Sequence, residues 1–413
     1  MNVFQPADIL LPKVTDFSRW AVIACDQFTS DPAYWQRVRD YAGDAPSACR
    51  LILPEVELGT PAEAAHTAEV HATMNQYLKD DLFQVYDHAY VYVERTLENG
   101  SIRKGLVGMV DLETYSYEPG STAPIRATER TVESRIPPRM KIRQDAPLEF
   151  PHVLMLCDDS EKVLIEPLAA QKETLPKLYD FDLMEGGGHI TGWLVQGEAV
   201  RAFDERLTEY SVHVGEKYED LQETPMILAA GDGNHSLATA KACYEALKKA
   251  HPEQDFSNHP ARFALAELEN IHDEALDFEP IHRVLFHVDQ KKLLSDLKRD
   301  ICAEDGFPLT WYAGTESGTV YLDKNKGQLA VGILQSWLDH WLQNNAAELD
   351  YIHDDYELRR LAQQENAVGF LLPTMEKSQL FRGVIADGVL PRKTFSMGHA
   401  REKRYYLEGR AIR

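Results

Sequence analysis

The sequence predicts an α+β protein with a mixed, largely antiparallel sheet core in a first domain, residues 1–290, and an α+β C-terminal domain, residues 291–413. Three observations carry this. Aromatic and β-branched residues alternate on both sides of Asn99-Gly100, the composition of a β-hairpin. The apolar run Thr224–Ala230 enters a glycine-bearing loop and then a helix with Leu237, Ala240, Tyr244 and Leu247 on one face, a strand-loop-helix element. Beyond Arg283 the order reads β-β-α-β-α-β-α, an α+β layering rather than a strict alternation. A chain of 413 residues exceeds what one compact core usually holds, so two domains are expected.

Along the chain, Trp20–Cys25 has strand length and ends at Asp26-Gln27, and Asp31-Pro32 opens a helix with Pro in its first turn. Strands over Leu82–Arg95 and Lys104–Asp111 form the β-rich insertion of the first domain. His152–Cys157 is a further strand, and Glu185–His189 supplies glycines for a tight turn between strands. In the second domain, Asp289–Asp300 reads as a charged surface helix. Strands are expected at Leu309–Ala313, Thr319–Leu322, Leu349–His353 and Ala367–Leu372. Helices are expected with Leu334, Trp337, Leu338, Trp341 and Leu342 on one face, from Asp355, and up to Asp387-Gly388.

The net charge of −23 repels phosphate backbones and anionic lipid, which disfavours nucleic acid and membrane partners. Five Cys without a Cys-x-x-Cys pair fit neither a disulfide framework nor a structural zinc site. No basic n-region with an apolar run opens the sequence, and no stretch approaches the length of a membrane span, so a cytoplasmic protein is expected. His272-Asp273 and His353-Asp354 lack zinc-site spacing, and Gly186-Gly187-Gly188 is not a dinucleotide fingerprint. No Gly-x-Ser-x-Gly elbow is present, and Cys25 has no recognisable His partner. Zinc, haem, flavin and NAD are therefore not expected.

The chemistry concentrates at Gly231-Asp232-Gly233-Asn234-His235-Ser236. Glycines let the backbone turn sharply there, and the helix start aims N–H groups and the positive dipole end into the loop. One reading is a phosphate-binding loop of Gly233, Asn234 and Ser236, with His235 as donor or proton carrier. The other is an Asp-Gly turn with a capped helix, and the pattern leaves both open. A helix end contributes about 0.3–1 kcal/mol per charge, up to ~2 when partly buried, against roughly 4 kcal/mol for millimolar binding. Cationic side chains or Mg²⁺ must supply the rest. Two basic runs offer them: Arg126–Arg143, with six basic residues against Glu129 and Glu133, and Arg392 onward, with seven against Glu402 and Glu408. Most of these pair with the acidic surplus. Arg126, Arg139 and Lys393 are the candidate exceptions, with Thr394 adding a hydroxyl beside Lys393, and His282-Arg283 after Pro280 reads as an anion contact or as a surface pair beside Glu279. Concentrated positive charge on an acidic chain suits a small anionic metabolite, and homo-oligomerisation is admitted. For a general base, Asp26 at a strand end stands first and Asp232 second; either carboxylate also suits Mg²⁺, while the metal itself stays undetermined.

The hexapeptide at Gly231–Ser236 with its Ala-rich helix resembles the Asp-Gly-His-His-Arg signature of the ParB/sulfiredoxin-like superfamily, which includes free-serine kinases. The chain is more closely similar, over nearly its whole length, to the bacterial family known as domain of unknown function 1015. That likeness rests on Ala24–Ser30, Ile125–Thr131 with Arg135–Arg139, Asn270–Asp273 with Pro280–Arg283, and Leu390–Phe395. The superfamily resemblance implies a loop that holds nucleotide phosphates. Asn234 stands in place of the first His and Ser236 in place of the Arg, so the clamping guanidinium is absent from the loop. What the resemblance implies is a nucleotide-dependent phosphotransferase, using ATP or ADP with Mg²⁺ on the hydroxyl of free serine or a related hydroxy acid. The alternative is a non-catalytic sensor of a phosphorylated metabolite or nucleotide.

Overall fold

The computed structural model describes residues 3–222, 224–391 and 393–413. Its contacts divide the chain into two units. The first comprises residues up to Ala127, Thr131–Leu276 and His399–Arg413, and the second Thr128–Arg130 with Asp277–Gly398. The α+β class and the mixed sheet are as the sequence predicts.

The first unit is built on an eleven-stranded sheet. Its main path runs Lys177–Asp182, His189–Val195, Phe83–Thr96, Ile102–Asp111, Phe263–Asn270, Leu154–Cys157, Leu228–Asp232, Ile125–Ala127 and Tyr115–Ser116, with Phe4–Gln5 and Ala7–Pro12 pairing off it. The hairpin at Asn99-Gly100 forms as expected, with Val91 opposite Val107 and Thr96 opposite Ile102. Most pairs are antiparallel; Phe263–Asn270 with Leu154–Cys157, and Leu228–Asp232 with Ile125–Ala127, are parallel. The glycine run Gly186–Gly188 turns the chain between two antiparallel strands. Gly187 is required there because a Cβ at that position would lie 2.4 Å from the Tyr405 hydroxyl.

Asp31 caps the helix Pro32–Ala42 by accepting from the Tyr34 N–H at 3.1 Å, as the Asp-Pro start predicts. The strand expected over Trp20–Cys25 is shorter. Trp20 closes a helical turn, Phe17–Trp20, and only Val22–Ile23 is extended. Its partner is Tyr405–Tyr406, from the far end of the chain.

That pairing changes the domain division expected near residue 290. The boundary falls at Leu276/Asp277, and His399–Arg413 belongs to the first unit. The reason is burial: Tyr405, Tyr406 and Leu407 are all buried, and Arg410–Ala411 pairs with Leu148–Glu149. Two of the basic residues of this segment, Arg404 and Arg410, are buried. Arg404 pairs with Glu267 and Glu408, and Arg410 with Glu149 at 2.9 Å. Arg95 donates to the carbonyls of Gly187, Arg401, Glu402 and Lys403, fixing the turn from which Lys403 emerges.

The second unit carries a six-stranded antiparallel sheet in the order Cys302–Ala303, Glu316–Leu322, Phe307–Ala313, Val368–Leu371, His282–Phe286 and Glu348–Ile352. Its helices are Gln290–Ile301, Ala330–Leu342, Asp355–Ala362 and Gln379–Asp387, close to the predicted spans. Leu334, Trp337, Leu338 and Trp341 are buried, as the helical spacing requires. Among the described residues, no helix is long and apolar enough to cross a membrane.

Candidate functional site

The strand Leu228–Asp232 ends in the left-handed residue Gly233, φ +72°, and the helix Asn234–Ala250 begins at once. A Cβ at Gly233 would lie 3.0 Å from Val153 Cα and 3.1 Å from the His152 carbonyl, so both conformation and space call for glycine. No side chain caps this helix. Its first backbone N–H groups therefore face the loop, where an anion fits. The Asp232 carboxylate turns back to accept from Gly233 N–H at 2.8 Å, and the buried Asn234 Oδ1 has no hydrogen-bond partner among the described residues.

Charged groups gather around this helix start. Lys403 Nζ lies 3.3 Å from Asp232 Oδ2. His152 bridges two hydroxyls, with Nε2 2.8 Å from Ser236 Oγ and Nδ1 2.8 Å from Tyr406 Oη. Each hydroxyl can donate or accept, so the ring links Ser236 to Tyr406 through its two nitrogens. Tyr406 in turn accepts from Cys25 N–H at 3.0 Å, tying the chain just before Asp26 to the same network.

Burial raises the Asp26 carboxyl. The His152 ring, a 3.0 Å hydrogen bond from Gln27 and the Lys403 ammonium together overcome it and hold Asp26 below its ordinary value, hence ionised at neutral pH. Burial, reinforced by the Arg139 and Arg135 guanidinium groups, pushes His235 down to about 4. Its Nε2 accepts from Val132 N–H at 3.2 Å, so at neutral pH the ring is neutral and offers Nδ1–H as a hydrogen-bond donor. Such a ring holds no exchangeable second proton. Burial and the Asp26 charge push the Cys25 thiol up to about 12, which keeps it protonated and unsuited to nucleophilic attack.

Of the residues singled out from the sequence, Asp26, Asp232, Gly233, Asn234, His235 and Ser236 converge here, and Arg139 acts on His235 and Cys25 electrostatically. Arg139 is itself committed to Glu55 and to the Arg135 carbonyl at 2.7 Å. Arg126 lies elsewhere. Its guanidinium donates to the Ala123 carbonyl, Gln222 Oε1 and the Thr224 carbonyl, all at the amino end of the parallel strand pair, whereas the loop follows the carboxyl end.

His282, Arg283, Lys393 and Thr394 belong to the second unit. His282 Nδ1 accepts from Leu372 N–H at 3.2 Å. Arg283 is fully buried, bonded to Gln335 and the Ile281 carbonyl and stacked on the Tyr351 ring at 5.0 Å, so neither is a surface pair. The Thr394 hydroxyl donates a hydrogen bond to the Pro391 carbonyl at 2.6 Å, while Lys393 is exposed. Arg392 lies outside the described residues. The sequence reading missed His152, Lys403 and Tyr406. Tyr405-Tyr406 amid basic residues was a legible signal, since paired aromatics rarely sit on a solvated tail. Among the described residues, no cluster of three or more His, Cys, Asp or Glu is arranged to hold a metal.

Residues 6–388 match the family described as Protein of unknown function (DUF1015), and the chain belongs to that family. No curated protein matches the sequence. Among solved structures it is similar to a free serine kinase in complex with AMP, at 9% identity and TM-score 0.37, over 74% of this chain and 91% of that one. It is also similar to a conserved hypothetical protein from Pyrococcus furiosus, at 11% identity and TM-score 0.34, over 71% and 90%. A third is SbnI with a C-terminal truncation from Staphylococcus aureus, at 9% identity and TM-score 0.36, over 71% and 82%.

Proposed function

We propose that this member of the DUF1015 family binds a nucleotide through its phosphates at the start of the helix Asn234–Ala250 and passes a phosphoryl group to the hydroxyl of a small acceptor. The observation that carries the reading is the gathering of ionised Asp26, the Asp232–Lys403 pair, neutral His235 and the His152–Ser236 bond at one uncapped helix start. Backbone N–H groups of the loop supply the fixed dipoles, and Lys403 supplies the cation that Ser236 does not. The His235 Nδ1–H donates to a phosphate oxygen without adding charge that changes near neutrality.

The transfer balances simply. The acceptor hydroxyl gives its proton to the Asp26 carboxylate, its oxygen bonds to phosphorus, and the bond from phosphorus to the leaving nucleotide oxygen breaks, releasing AMP from ADP or ADP from ATP. Mg²⁺ usually takes one or two carboxylates plus phosphate oxygens, and Asp232 would be the carboxylate that holds it, leaving Asp26 for the acceptor proton. The ion would neutralise charge on the phosphates. Free serine or a related hydroxy acid is the acceptor class that the loop resemblance suggests.

A second reading, a sensor that binds a phosphorylated ligand without transfer, draws on Ser236 standing where the resembling signature has an Arg. Phosphorus NMR of the protein with Mg²⁺, ATP or ADP and a pool of hydroxy acids and uncharged alcohols separates the two. A new phosphomonoester resonance that disappears with Asp26→Asn supports transfer. Broadened nucleotide resonances without product support the sensor, and unaltered resonances refute both.

A further inference from the structure

Beneath the first turns of the helix Asn234–Ala250 lies a cavity of about 150 Å³ within the first unit. Its wall is largely aliphatic, with Leu51, Leu53, Met74, Ile142, Leu148 and Leu265, and the Arg143–Glu149 ion pair and Glu55 also border it. Ser236, His152, Tyr406 and Arg139, from the site already described, line it as well. Cys25, adjacent in sequence to Asp26, also lines it.

Protein interiors are normally filled to crystal density, so an apolar occupant of a largely aliphatic pocket of this size gains dispersion contacts with the side chains around it. A cavity of roughly 150 Å³ lined by aliphatic side chains accommodates a benzene-sized group. Free serine has no such group: its side chain is one carbon and a hydroxyl, and its charged ends are costly to bury against leucines. Ligand sites combine a mainly apolar body with a few polar groups, and that balance is present here.

We propose that this cavity is the acceptor subsite, and that the acceptor is an alcohol with a phenyl or branched aliphatic body of about six or seven carbons. Its hydroxyl lies at the Ser236–His152 end, toward Asp26. This assignment rests on the phosphoryl-transfer reading for the role of the occupant, but the binding of an apolar alcohol can be measured alone.

Calorimetric titration of the full chain with benzyl alcohol, with free serine and separately with ADP tests it. Benzyl alcohol is expected to bind the wild type and to bind at least tenfold more weakly to Ala240→Leu, whose larger side chain enters the cavity. Met74→Phe, which enlarges another lining side chain, serves if Ala240→Leu does not fold. The His235→Ala variant is expected to keep benzyl alcohol binding and to lose ADP binding, and free serine is expected not to compete with benzyl alcohol. Equal binding to wild type and the folded filling variant overturns the assignment, as does serine competing with benzyl alcohol. ADP binding without benzyl alcohol binding overturns the cavity assignment while leaving the phosphate reading intact. Benzyl alcohol binding that the filling variant abolishes, with no ADP binding, overturns the phosphate reading and leaves the cavity as an apolar-alcohol site.

Discussion

Replacing Gly233 by Ala strikes the loop at its least substitutable point. The residue sits at φ +72°, where an L side chain costs about 1–2 kcal/mol. The added Cβ would meet Val153 Cα at 3.0 Å and the His152 carbonyl at 3.1 Å, both backbone atoms that yield only if the neighbouring strand shifts by a few tenths of an ångström. Together these predict a loss of about 2 kcal/mol or slightly more, a fall of several degrees in the melting temperature of the first unit. The same shift moves the His152 ring that holds Ser236, so ADP affinity is expected to fall with stability. Gly233→Asn, a residue that tolerates the left-handed region better, should recover part of the conformational cost but not the overlap. Scanning calorimetry with and without ADP reads both effects. An Ala variant as stable as the wild type and unchanged in ADP affinity would refute the claim that this turn is left-handed and packed against Val153.

Removing the Lys403 ammonium with Lys403→Met should weaken ADP binding about tenfold or more, roughly 1.4 kcal/mol, while Arg126→Gln should leave ADP affinity unaltered because its guanidinium lies at the far end of the strand pair; calorimetric titration compares them. Arg404→Met strands Glu267 and Glu408 as buried unpaired carboxylates and should cost about 3–5 kcal/mol, read by urea unfolding. His235 is about 4 in the folded chain against an ordinary 6.5, so between those values the unfolded chain binds the extra proton. Stability should therefore rise with pH across that window, and His235→Gln should flatten the rise in a series of melting curves. Asp26 is held below its ordinary value, so its contribution is present above about pH 4 and lost as pH falls through the folded value. Asp26→Asn should remove that acid limb.

Local patterning made much of the fold legible. The hairpin at Asn99-Gly100, the Asp31-Pro32 helix start and the buried face of Ala330–Leu342 follow from turn chemistry and periodicity, and all three form. The strand-loop-helix at Asp232 was legible for the same reason, since glycine and a helix start impose their own geometry. What the sequence hid is non-local. Glu267 and Glu269 alternate with apolar residues in Phe263–Asn270, a strand the sequence reading did not single out, and both are buried because Arg404 and Arg103 reach them from distant segments. The basic C-terminal run read as surplus positive charge. The expected pairing takes place inside the unit: Arg404 and Arg410 satisfy buried carboxylates, and Tyr405–Tyr406 completes a strand pair with Val22–Ile23. Lys403 could not be tied to Asp232 without that threading, and Arg126 looked available until the loop residues Gln222 and Thr224 were seen to occupy it.

A crystal structure of the protein with ADP tests the central claim most directly. The account predicts the terminal phosphate within hydrogen-bonding distance of the N–H groups of Asn234, His235 and Ser236, with Lys403 beside it. A nucleotide bound elsewhere, with the helix start and Lys403 making no contact to it, would contradict the account.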